Sequence, residues 1–340
     1  MSEVDSAALG AAVRQLLGDS LGYLYSAALR VAVRVGVADH LAAGPLPVER
    51  LAALGGVQAE HLNRVLRFLA TRGVFREGEE GTFHLTTAAS LLRSDSPLAM
   101  SSVVLLLTDE LYWLPAGRLE DTVRKGSTVF EDIFGAPLFE FLAGDEERGR
   151  VFHTALDDLS ATEHSGVVAS YGFPETGTVV DVGGGRGGLL HEALTKNPRL
   201  DGILLDHESV VAGHRLDDPA IEGRWKTVSG DFFTDMPADG DVYLLKRILH
   251  DWDDADSVRL LKACRAAMSD QARVLIIDTV VPPGNDPHPS KLSDMAMMIV
   301  FDGKERTEDE LASLFTQAGL KLSRVIPTPG TLSIVEAIAA

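Results

Sequence analysis

The residues best suited to acid–base chemistry lie in the stretch Lys246-Arg247-Ile248-Leu249-His250-Asp251-Trp252, where a predicted strand ends. Histidine can serve as a general base because its unperturbed pKa lies near neutral pH. A carboxylate on the far side of the imidazole would fix its tautomer and stabilise the protonated ring, although Asp251 or Asp253 could equally be only the cap of the next helix. The stretch therefore predicts a site in which His250 removes a proton from a nucleophile.

A glycine-rich segment, residues 178–188, has the pattern of a buried β-strand that runs into a tight turn and a helix. Gly183, Gly185 and Gly188 match the G-x-G-x-x-G spacing of a dinucleotide site. Asp181 lies inside the strand, however, where a carboxylate would repel a pyrophosphate and attract a cation. S-adenosylmethionine (SAM) carries an ammonium and a sulfonium group and no phosphate. The segment therefore favours SAM over a dinucleotide, and a purely structural turn is the third alternative.

Polar side chains also follow the other predicted strands, and ligands of open α/β sheets bind beyond the carboxyl ends of strands. These candidates are Asp206, the run Gly230-Asp231-Phe232-Phe233, the pair Lys246-Arg247, and Asp278. Asp206 lies where an acid accepts ribose hydroxyls, although it could also be a helix cap. Asp231 could accept the adenine amino group, and Phe232 could flank the base. Five successive strand ends with such residues predict one shared ligand site.

Methyl transfer from a sulfonium is an in-line displacement in which a neutral thioether leaves, so the leaving group needs no acid. The reaction does need a nucleophile that has lost its proton and is aligned with the methyl group. One base, His250, would suffice for this chemistry.

The elements that must position these residues alternate between strands and helices after Gly172, which predicts a doubly wound α/β sheet. The predicted strands are residues 178–182, 202–206, 225–229, 241–246 and 273–279, followed by an antiparallel hairpin of residues 321–326 and 332–338. Cys264, the single cysteine, lies in an amphipathic helical pattern and is expected to be a buried apolar residue.

The pattern of residues 7–43 predicts helices that carry more apolar surface than a small domain can bury. A partner subunit is therefore expected to cover this surface. Residues 46–87 resemble a winged helix-turn-helix with helices at 47–54 and 59–72 and a hairpin wing. Residues 1–110 hold nine arginines against twelve acidic residues, and the wing carries Glu77, Glu79 and Glu80. Such a surface repels phosphates, so we do not expect DNA as a partner.

We expect three segments: a winged-helix-like dimerisation domain at 1–95, helices at 96–170 that line a substrate pocket, and a ligand-binding domain at 171–340. Pro115, Gly117, Gly126 and the run Gly135-Ala136-Pro137 are expected to divide the middle segment into short helices.

The net charge of −19 disfavours nucleic acid and anionic membranes as partners. The lack of a signal-type or membrane-spanning stretch favours a cytoplasmic protein.

These motifs resemble those of the SAM-dependent O-methyltransferases of the caffeic-acid type, which include bacterial enzymes that methylate polyketide and phenazine hydroxyls. The matching stretches are 180–188, 230–233, 244–253 and 303–307, and the resemblance extends over nearly the whole chain. It implies a homodimer that uses SAM to methylate a hydroxyl of a small, aromatic specialised metabolite.

The resemblance also implies roles for individual residues. His250 is expected to be the general base, with Asp278 and Glu305 as the acids that flank and orient it. The expected cofactor contacts are Asp181, Gly183, Gly185, Asp206, Gly230, Asp231, Phe232, Lys246 and Arg247.

Two residues depart from the pattern of the family. Asp278 stands where plant relatives carry Glu, and Asp302 stands where many relatives have glycine. We expect no metal, but Asp302 with His250 and Asp251 would form a one-histidine, two-carboxylate site. The alternative function is therefore metal-assisted C-methylation of a 2-oxo acid on the same fold.

Overall fold

The computed structural model describes residues 6–98, 100–238 and 240–340. The chain divides into two compact units: Met1–Glu110 with Val151–Leu159, and Leu111–Arg150 with Ser160–Ala340. The domain boundaries expected from the sequence stay predictions. In the described ranges, no helix is long and apolar enough to cross a lipid bilayer.

The first unit is mainly helical around a small antiparallel sheet with strand order β1-β3-β2. Its elements are α1 (Ser6–Ser20), α2 (Tyr23–Arg34), α3 (Val37–His40), β1 (Leu46–Pro47), α4 (Val48–Gly55), α5 (Ala59–Ala70), β2 (Phe75–Glu77), β3 (Thr82–Leu85), α6 (Thr87–Ser90) and α7 (Met100–Leu107). Helix α5 buries Leu62, Leu66 and Leu69, which repeat at the spacing of one helical face. The two helices and the hairpin predicted for residues 46–87 are confirmed.

The remaining helices begin with a series that lies in the predicted pocket-lining segment, and in this series residues 110 and 151–159 belong to the first unit and the rest to the second. They are α8 (Glu110–Gly117), α9 (Leu119–Lys125), α10 (Phe130–Phe134), α11 (Leu138–Ala143), α12 (Glu146–Ser170), α13 (Gly188–Lys196), α14 (Glu208–Val211), α15 (Asp254–Ala267), α16 (Pro289–Val300) and α17 (Glu308–Gln317). Gly126 and Gly135 end α9 and α10 with φ of 78° and 84°, as predicted from their types. Pro115 is predicted to break a helix, but it lies inside α8, where its ring removes the hydrogen bond to the carbonyl four residues earlier and crowds that carbonyl.

A seven-stranded sheet forms the centre of the second unit, with strand order β6-β5-β4-β7-β8-β10-β9. Its strands are β4 (Gly177–Val182), β5 (Leu200–Asp206), β6 (Trp225–Ser229), β7 (Val242–Lys246), β8 (Arg273–Asp278), β9 (Leu320–Pro327) and β10 (Ser333–Ala339). Strands β4 to β8 pair in parallel, whereas β10 runs antiparallel to both of its neighbours. The predicted doubly wound sheet and its C-terminal hairpin are confirmed.

Side chains of β4 alternate between two apolar cores, one on each face of the sheet. Val180 and Val182 pack with residues of α15 and α17, among them the buried Cys264. Val179 packs on the opposite face with residues of α13 and of the C-terminal end of α12. Asp181 shares that second face, because side chains two residues apart in a strand point the same way.

The strand order reverses between β4 and β7, since β5 and β6 lie on one side and β8 on the other. Loops that leave such neighbouring strands in opposite directions open a crevice at their carboxyl ends. The glycine-rich loop follows β4 and Arg247 follows β7. The fold therefore places two of the predicted ligand-binding segments at this crevice.

Glu336 is a charged residue on β10, the strand next to the sheet edge, and is only 4% exposed. Its carboxylate accepts hydrogen bonds from Tyr171 Oη at 2.8 Å, Ser323 Oγ at 2.8 Å and Arg324 Nε and Nη2 at 3.1 and 3.0 Å. Burial raises the pKa of Glu336, but the bonds from Arg324, Ser323 and Tyr171 outweigh this effect and lower it. The carboxylate thus ties β9 and β10 to the residue that ends α12.

We expect Glu336→Gln to lower the free energy of unfolding by about 1–3 kcal/mol, because a charged acceptor of four hydrogen bonds becomes a neutral amide with only one acceptor atom. Urea denaturation followed by circular dichroism measures this change. The matched control is Glu222→Gln, which alters an exposed glutamate. Equal stability of the two variants would contradict a structural role for the carboxylate.

Candidate active site

The loop after β4 depends on glycine because three of its residues adopt left-handed backbone conformations. Gly183, Gly185 and Gly187 have φ of 64°, 60° and 82°. Other residues reach this region only with strain. A Cβ on Gly183 would also lie 2.5 Å from Cδ1 of Ile248, the second residue after β7. The loop therefore turns tightly and comes close to the neighbouring strand end.

Asp181 lies beneath this loop rather than on its surface. It is 1% exposed, and a Cβ on Gly184 would collide with its carboxyl group. Burial, and then the charge of Asp206, raises the pKa of Asp181 to about 7, although Lys246 opposes this effect. Its Oδ2 has no hydrogen-bond partner among the described residues. Asp181 supports the loop from below, and its contact with a cofactor stays a prediction.

Asp206, at the end of β5, contacts the glycine loop directly. Its Oδ2 accepts a hydrogen bond from Gly185 N at 2.8 Å, and its Oδ1 accepts one from His207 N at 2.7 Å. Its backbone carbonyl accepts a bond from Gly230 N at 3.1 Å, which joins the ends of β5 and β6. The structure thus brings together three residues that the sequence assigns to the same ligand.

The segment after β6 adds an exposed carboxylate and a cluster of aromatic rings. Asp231 Oδ1 accepts a hydrogen bond from Phe233 N at 2.9 Å, so its side chain caps its own turn. The ring centroids of Phe232 and Phe233 lie 6.0 and 4.9 Å from that of Trp252. Phe232 also approaches the position of a Cβ on Gly183 to 3.6 Å. This arrangement is an aromatic wall beside the glycine loop.

Lys246 and Arg247 share one carboxylate, that of Glu163 on α12. Lys246 Nζ lies 2.7 Å from Glu163 Oε2, and Arg247 Nη2 lies 2.6 Å from Glu163 Oε1. Burial raises the pKa of Glu163, but the bond from Arg247 and the charges of both cations outweigh this effect and lower it. Arg247 adopts a left-handed φ of 55°, which turns the chain away from β7.

Two further α12 residues that sequence reasoning missed lie next to this ion pair. Ser160 Oγ accepts a hydrogen bond from Lys246 Nζ at 2.6 Å and lies 2.9 Å from His164 Nε2. The His164 ring packs against Gly188, and burial followed by the charge of Lys246 lowers its pKa to about 4. Ser160, Glu163 and His164 repeat at positions i, i+3 and i+4, a spacing that could have marked one polar face of the helix.

His250 lies in a short 3₁₀ turn, Leu249–Asp251, and is only 6% exposed. Its Nδ1 lies 3.1 Å from Glu305 Oε1, and its Nε2 lies 3.4 Å from Asp251 Oδ1. Burial lowers the pKa of the imidazole, but the charges of Asp278 and Asp251 and the contact with Glu305 outweigh burial and raise it to about 9. The buried surroundings therefore stabilise the protonated ring.

The predicted acids Asp278 and Glu305 are both brought to His250, but in different ways. Glu305 contacts the ring, whereas Asp278, 5% exposed, acts through its charge, and its Oδ1 has no hydrogen-bond partner in the described ranges. Burial raises the pKa of Asp278, and burial raises that of Asp251 to about 7. Because these groups interact strongly, their titration belongs to the cluster as a whole and not to any one residue. Tyr112, a buried phenol whose pKa is raised by burial and by Asp251, borders the cluster and was missed by sequence reasoning.

Asp302 does not join this cluster. Its Oδ1 accepts a hydrogen bond from Thr128 N at 2.9 Å, so the carboxylate caps the loop between α9 and α10. Across the described residues, no three histidine, cysteine, aspartate or glutamate side chains form a group that could hold a metal ion. The geometry of Asp302 thus gives no support to the metal-binding alternative.

Comparison with known proteins identifies the family that shares this fold. A sequence profile of the O-methyltransferase dimerisation domain matches residues 19–95, and a profile of the O-methyltransferase domain matches residues 117–321. The phenazine O-methyltransferase PhzM of Lysobacter antibioticus is 42% identical over 318 residues, which cover 93% of each chain.

Solved structures agree in fold over nearly the full length. CalO1, a methyltransferase in calicheamicin biosynthesis with bound S-adenosylhomocysteine (SAH), superposes with a TM-score of 0.90 at 46% identity and covers 99% of this chain and 100% of its own. NcsB1, an O-methyltransferase from neocarzinostatin biosynthesis in complex with SAM and 2-hydroxy-5-methyl naphthoic acid, gives 0.80 at 33% identity over 93% of this chain and 96% of its own. The chain therefore belongs to the O-methyltransferase family with an N-terminal dimerisation domain and is a SAM-dependent methyltransferase.

Proposed function

We propose that this enzyme transfers the methyl group of SAM to a hydroxyl of a small aromatic specialised metabolite, with His250 as the general base. The observation that carries the proposal is the contact of 3.1 Å between His250 Nδ1 and Glu305 Oε1 in a buried acidic cluster. The relatives support the acceptor class, because one is a phenazine O-methyltransferase and another is in complex with a hydroxylated naphthoic acid.

The residues around the glycine loop suit SAM. When bound, SAM supplies an electrophilic methyl group on a sulfonium that leaves as a neutral thioether. Asp206, held at the loop by Gly185 N, would accept the ribose hydroxyls. Asp231 and Phe232 would contact the adenine, and Lys246 and Arg247 would contact the cofactor from the end of β7.

His250 is arranged to accept one proton and to hold it. Glu305 holds Nδ1 at 3.1 Å, whereas the contact of Nε2 with Asp251 Oδ1 is longer, at 3.4 Å, so we assign proton transfer from the hydroxyl to Nε2. The charges of Asp278, Asp251 and Glu305 stabilise the imidazolium that results. We assign Asp278 and Glu305 to orienting and stabilising this ring.

The alternative, metal-assisted C-methylation of a 2-oxo acid, lacks a supporting observation. Asp302 Oδ1 accepts a hydrogen bond from Thr128 N. The acidic groups nearest His250 raise the pKa of its imidazole. A hydroxyl acceptor needs such a base, because its own proton must leave before methylation is complete.

We further propose that the enzyme is a homodimer built on α1 and α2. These helices and the turn between them expose large apolar side chains: Leu9, Val13, Leu16, Leu17, Leu21, Tyr23, Leu24 and Val31. A soluble chain rarely leaves so continuous an apolar surface uncovered, and the match to a dimerisation domain begins at residue 19.

We expect His250→Gln to lower the rate of methyl transfer by about 10²- to 10⁴-fold, because the variant lacks the base. Transfer is measured from isotope-labelled SAM to 2-hydroxy-5-methyl naphthoic acid and to a hydroxyphenazine, and SAH affinity is measured by calorimetry. SAH should bind the variant within about twofold of the wild type, since His250 is not a predicted cofactor contact. His191→Gln, which changes a histidine paired with Asp218, is the control. Full turnover in His250→Gln would show that another group is the base.

We expect the imidazole of His250 to titrate near pH 9, the value to which its surroundings raise its pKa, and Glu305→Gln to lower that pKa. Loss of the carboxylate removes a partner that favours the protonated ring. Because the neutral ring is the base, kcat/KM should rise with pH up to about 9 in the wild type. Nuclear magnetic resonance of ¹³C-labelled histidine, with His250→Gln to assign the signal, measures the pKa. The control is Glu308→Gln at an exposed site. A titration near 6.5 in the wild type would contradict this electrostatic account.

We expect the double variant Leu16→Glu, Leu17→Glu to be monomeric, because each leucine is more than 60% exposed in the single chain and a charge there would have to be buried in a dimer. Light scattering after size exclusion should give the chain mass of 36.4 kDa for the variant and twice that for the wild type. Gln15→Glu adds a charge to the same helix and is the control. A wild-type monomer would contradict the proposed dimer.

A further inference from the structure

A single buried arginine holds both ends of the turn that carries His250. Arg306 is 3% exposed, and its guanidinium donates from Nη1 to the Leu249 carbonyl at 3.0 Å and from Nη2 to the Trp252 carbonyl at 2.8 Å. These two carbonyls lie on either side of His250 and Asp251 in the chain. Ser257 Oγ also donates to these two carbonyls, at 3.4 and 3.3 Å, but the bonds from the charged guanidinium are shorter and come from one rigid plane, so they favour one conformation of the turn.

The guanidinium is itself held in place by a carboxylate at the start of the next helix. Asp254 Oδ1 lies 3.0 Å from Arg306 Nε and 2.9 Å from Arg306 Nη2. Burial raises the pKa of Asp254, but the bond and charge of Arg306, together with Lys304, outweigh this effect and lower it. The arginine thus links the turn to α15 through a charged pair.

The backbone around Arg306 is tied to the other acids of the site. Val281 N donates to the Arg306 carbonyl at 3.0 Å, three residues after Asp278. Glu305, the preceding residue, contacts His250 Nδ1. Gly303 packs so closely on the His250 carbonyl that no Cβ would fit. The segment 303–306 therefore contacts the His250 turn through its backbone and through two side chains.

We propose that Arg306 is a positioning residue for His250: it fixes the 249–252 turn so that the imidazole meets Glu305 on one side and presents Nε2 on the other. This inference rests on the proposed role of His250 as the base. Alignment of a base within a fraction of an ångström decides its rate, and a displacement of about 1 Å costs about 10²-fold.

Lysine is the informative replacement for Arg306, because it keeps the positive charge and loses the planar arrangement of donors. The planar guanidinium reaches two carbonyls and a carboxylate at once, whereas a single ammonium nitrogen on a flexible stem cannot span them. A merely electrostatic role of Arg306 would survive Arg306→Lys, and a positioning role would not.

The first measurement needs no acceptor. Histidine resonance titration of Arg306→Lys should show the pKa of His250 shifted from its wild-type value toward the ordinary value of histidine, because the ring is no longer held against Glu305. The matched control is Arg224→Lys, in which an arginine that donates to the carbonyls of Leu194 and Leu200 at 3.0 and 2.9 Å changes far from His250. An unchanged His250 titration in Arg306→Lys would overturn the proposal. If that variant does not fold, Asp254→Asn removes the anchor at a more exposed site and should produce a smaller shift in the same direction; no shift there would likewise overturn it.

The second measurement is a double-mutant cycle with His250→Gln, using methyl transfer to 2-hydroxy-5-methyl naphthoic acid or a hydroxyphenazine. Arg306→Lys should lower kcat about 10- to 100-fold in the wild-type background, and less than about twofold when His250 is already replaced. SAH affinity should stay within about twofold throughout. Equal losses in both backgrounds would show that Arg306 does not act through His250. Full turnover in His250→Gln alone would instead refute the proposed base, and the titration would still decide the role of Arg306.

Discussion

Burial of His250 among three carboxylates is the constraint on which the arrangement at the ends of β7 and β8 depends. Charges removed from water must be compensated nearby, or the groups change protonation or the segment moves. Glu305 meets the ring directly, Asp251 and Asp278 have raised pKa values, and Arg247 contributes a positive charge from the end of β7. The pKa of Arg247 is itself lowered by burial, an effect outweighed by Glu163, Asp278 and Glu305, which raise it. The cluster is therefore one electrostatic unit.

The sheet determines where this unit can form. The reversal of strand order between β4 and β7 puts the glycine loop and the His250 turn on neighbouring strand ends, and Ile248 packs against Gly183 between them. Asp278 ends the next strand, β8, and the segment 303–306 pairs with the residues that follow it. The loop proposed to hold the cofactor and the turn that carries the proposed base are thus brought together by backbone pairing that does not involve the reacting groups.

Patterns local in the chain were sufficient to predict most of the fold. The β-branched run at β4, the glycines after it and the turn residues between later strands carry their structure in their own types, and the structure has strands at each predicted place. The residues that contact the site residues were harder to predict from the sequence. Glu163 pairs with Lys246 and Arg247 from 83 and 84 positions away in the chain, and Arg306 reaches Leu249 across 57, so no local spacing connects them. Asp302 shows the opposite error: it stands where many relatives have glycine, which suggested a metal ligand beside His250 and Asp251, but its carboxylate caps the loop at Thr128.

If His250 is the base, as proposed, its surroundings also favour one class of acceptor. Because the pKa of His250 is raised to about 9 by its surroundings, the imidazole is mostly protonated at pH 7. A phenolic hydroxyl has a pKa near 10, so a proton moves from it to this imidazole at little cost, whereas an ordinary imidazole with a pKa of about 6.5 would be a much weaker acceptor. An alcohol with a pKa near that of water, about 16, would still give up its proton only at high cost. In the proposed mechanism, the acidic cluster therefore lowers the fraction of neutral imidazole but makes that imidazole a stronger base, which favours an aromatic hydroxyl over an aliphatic one.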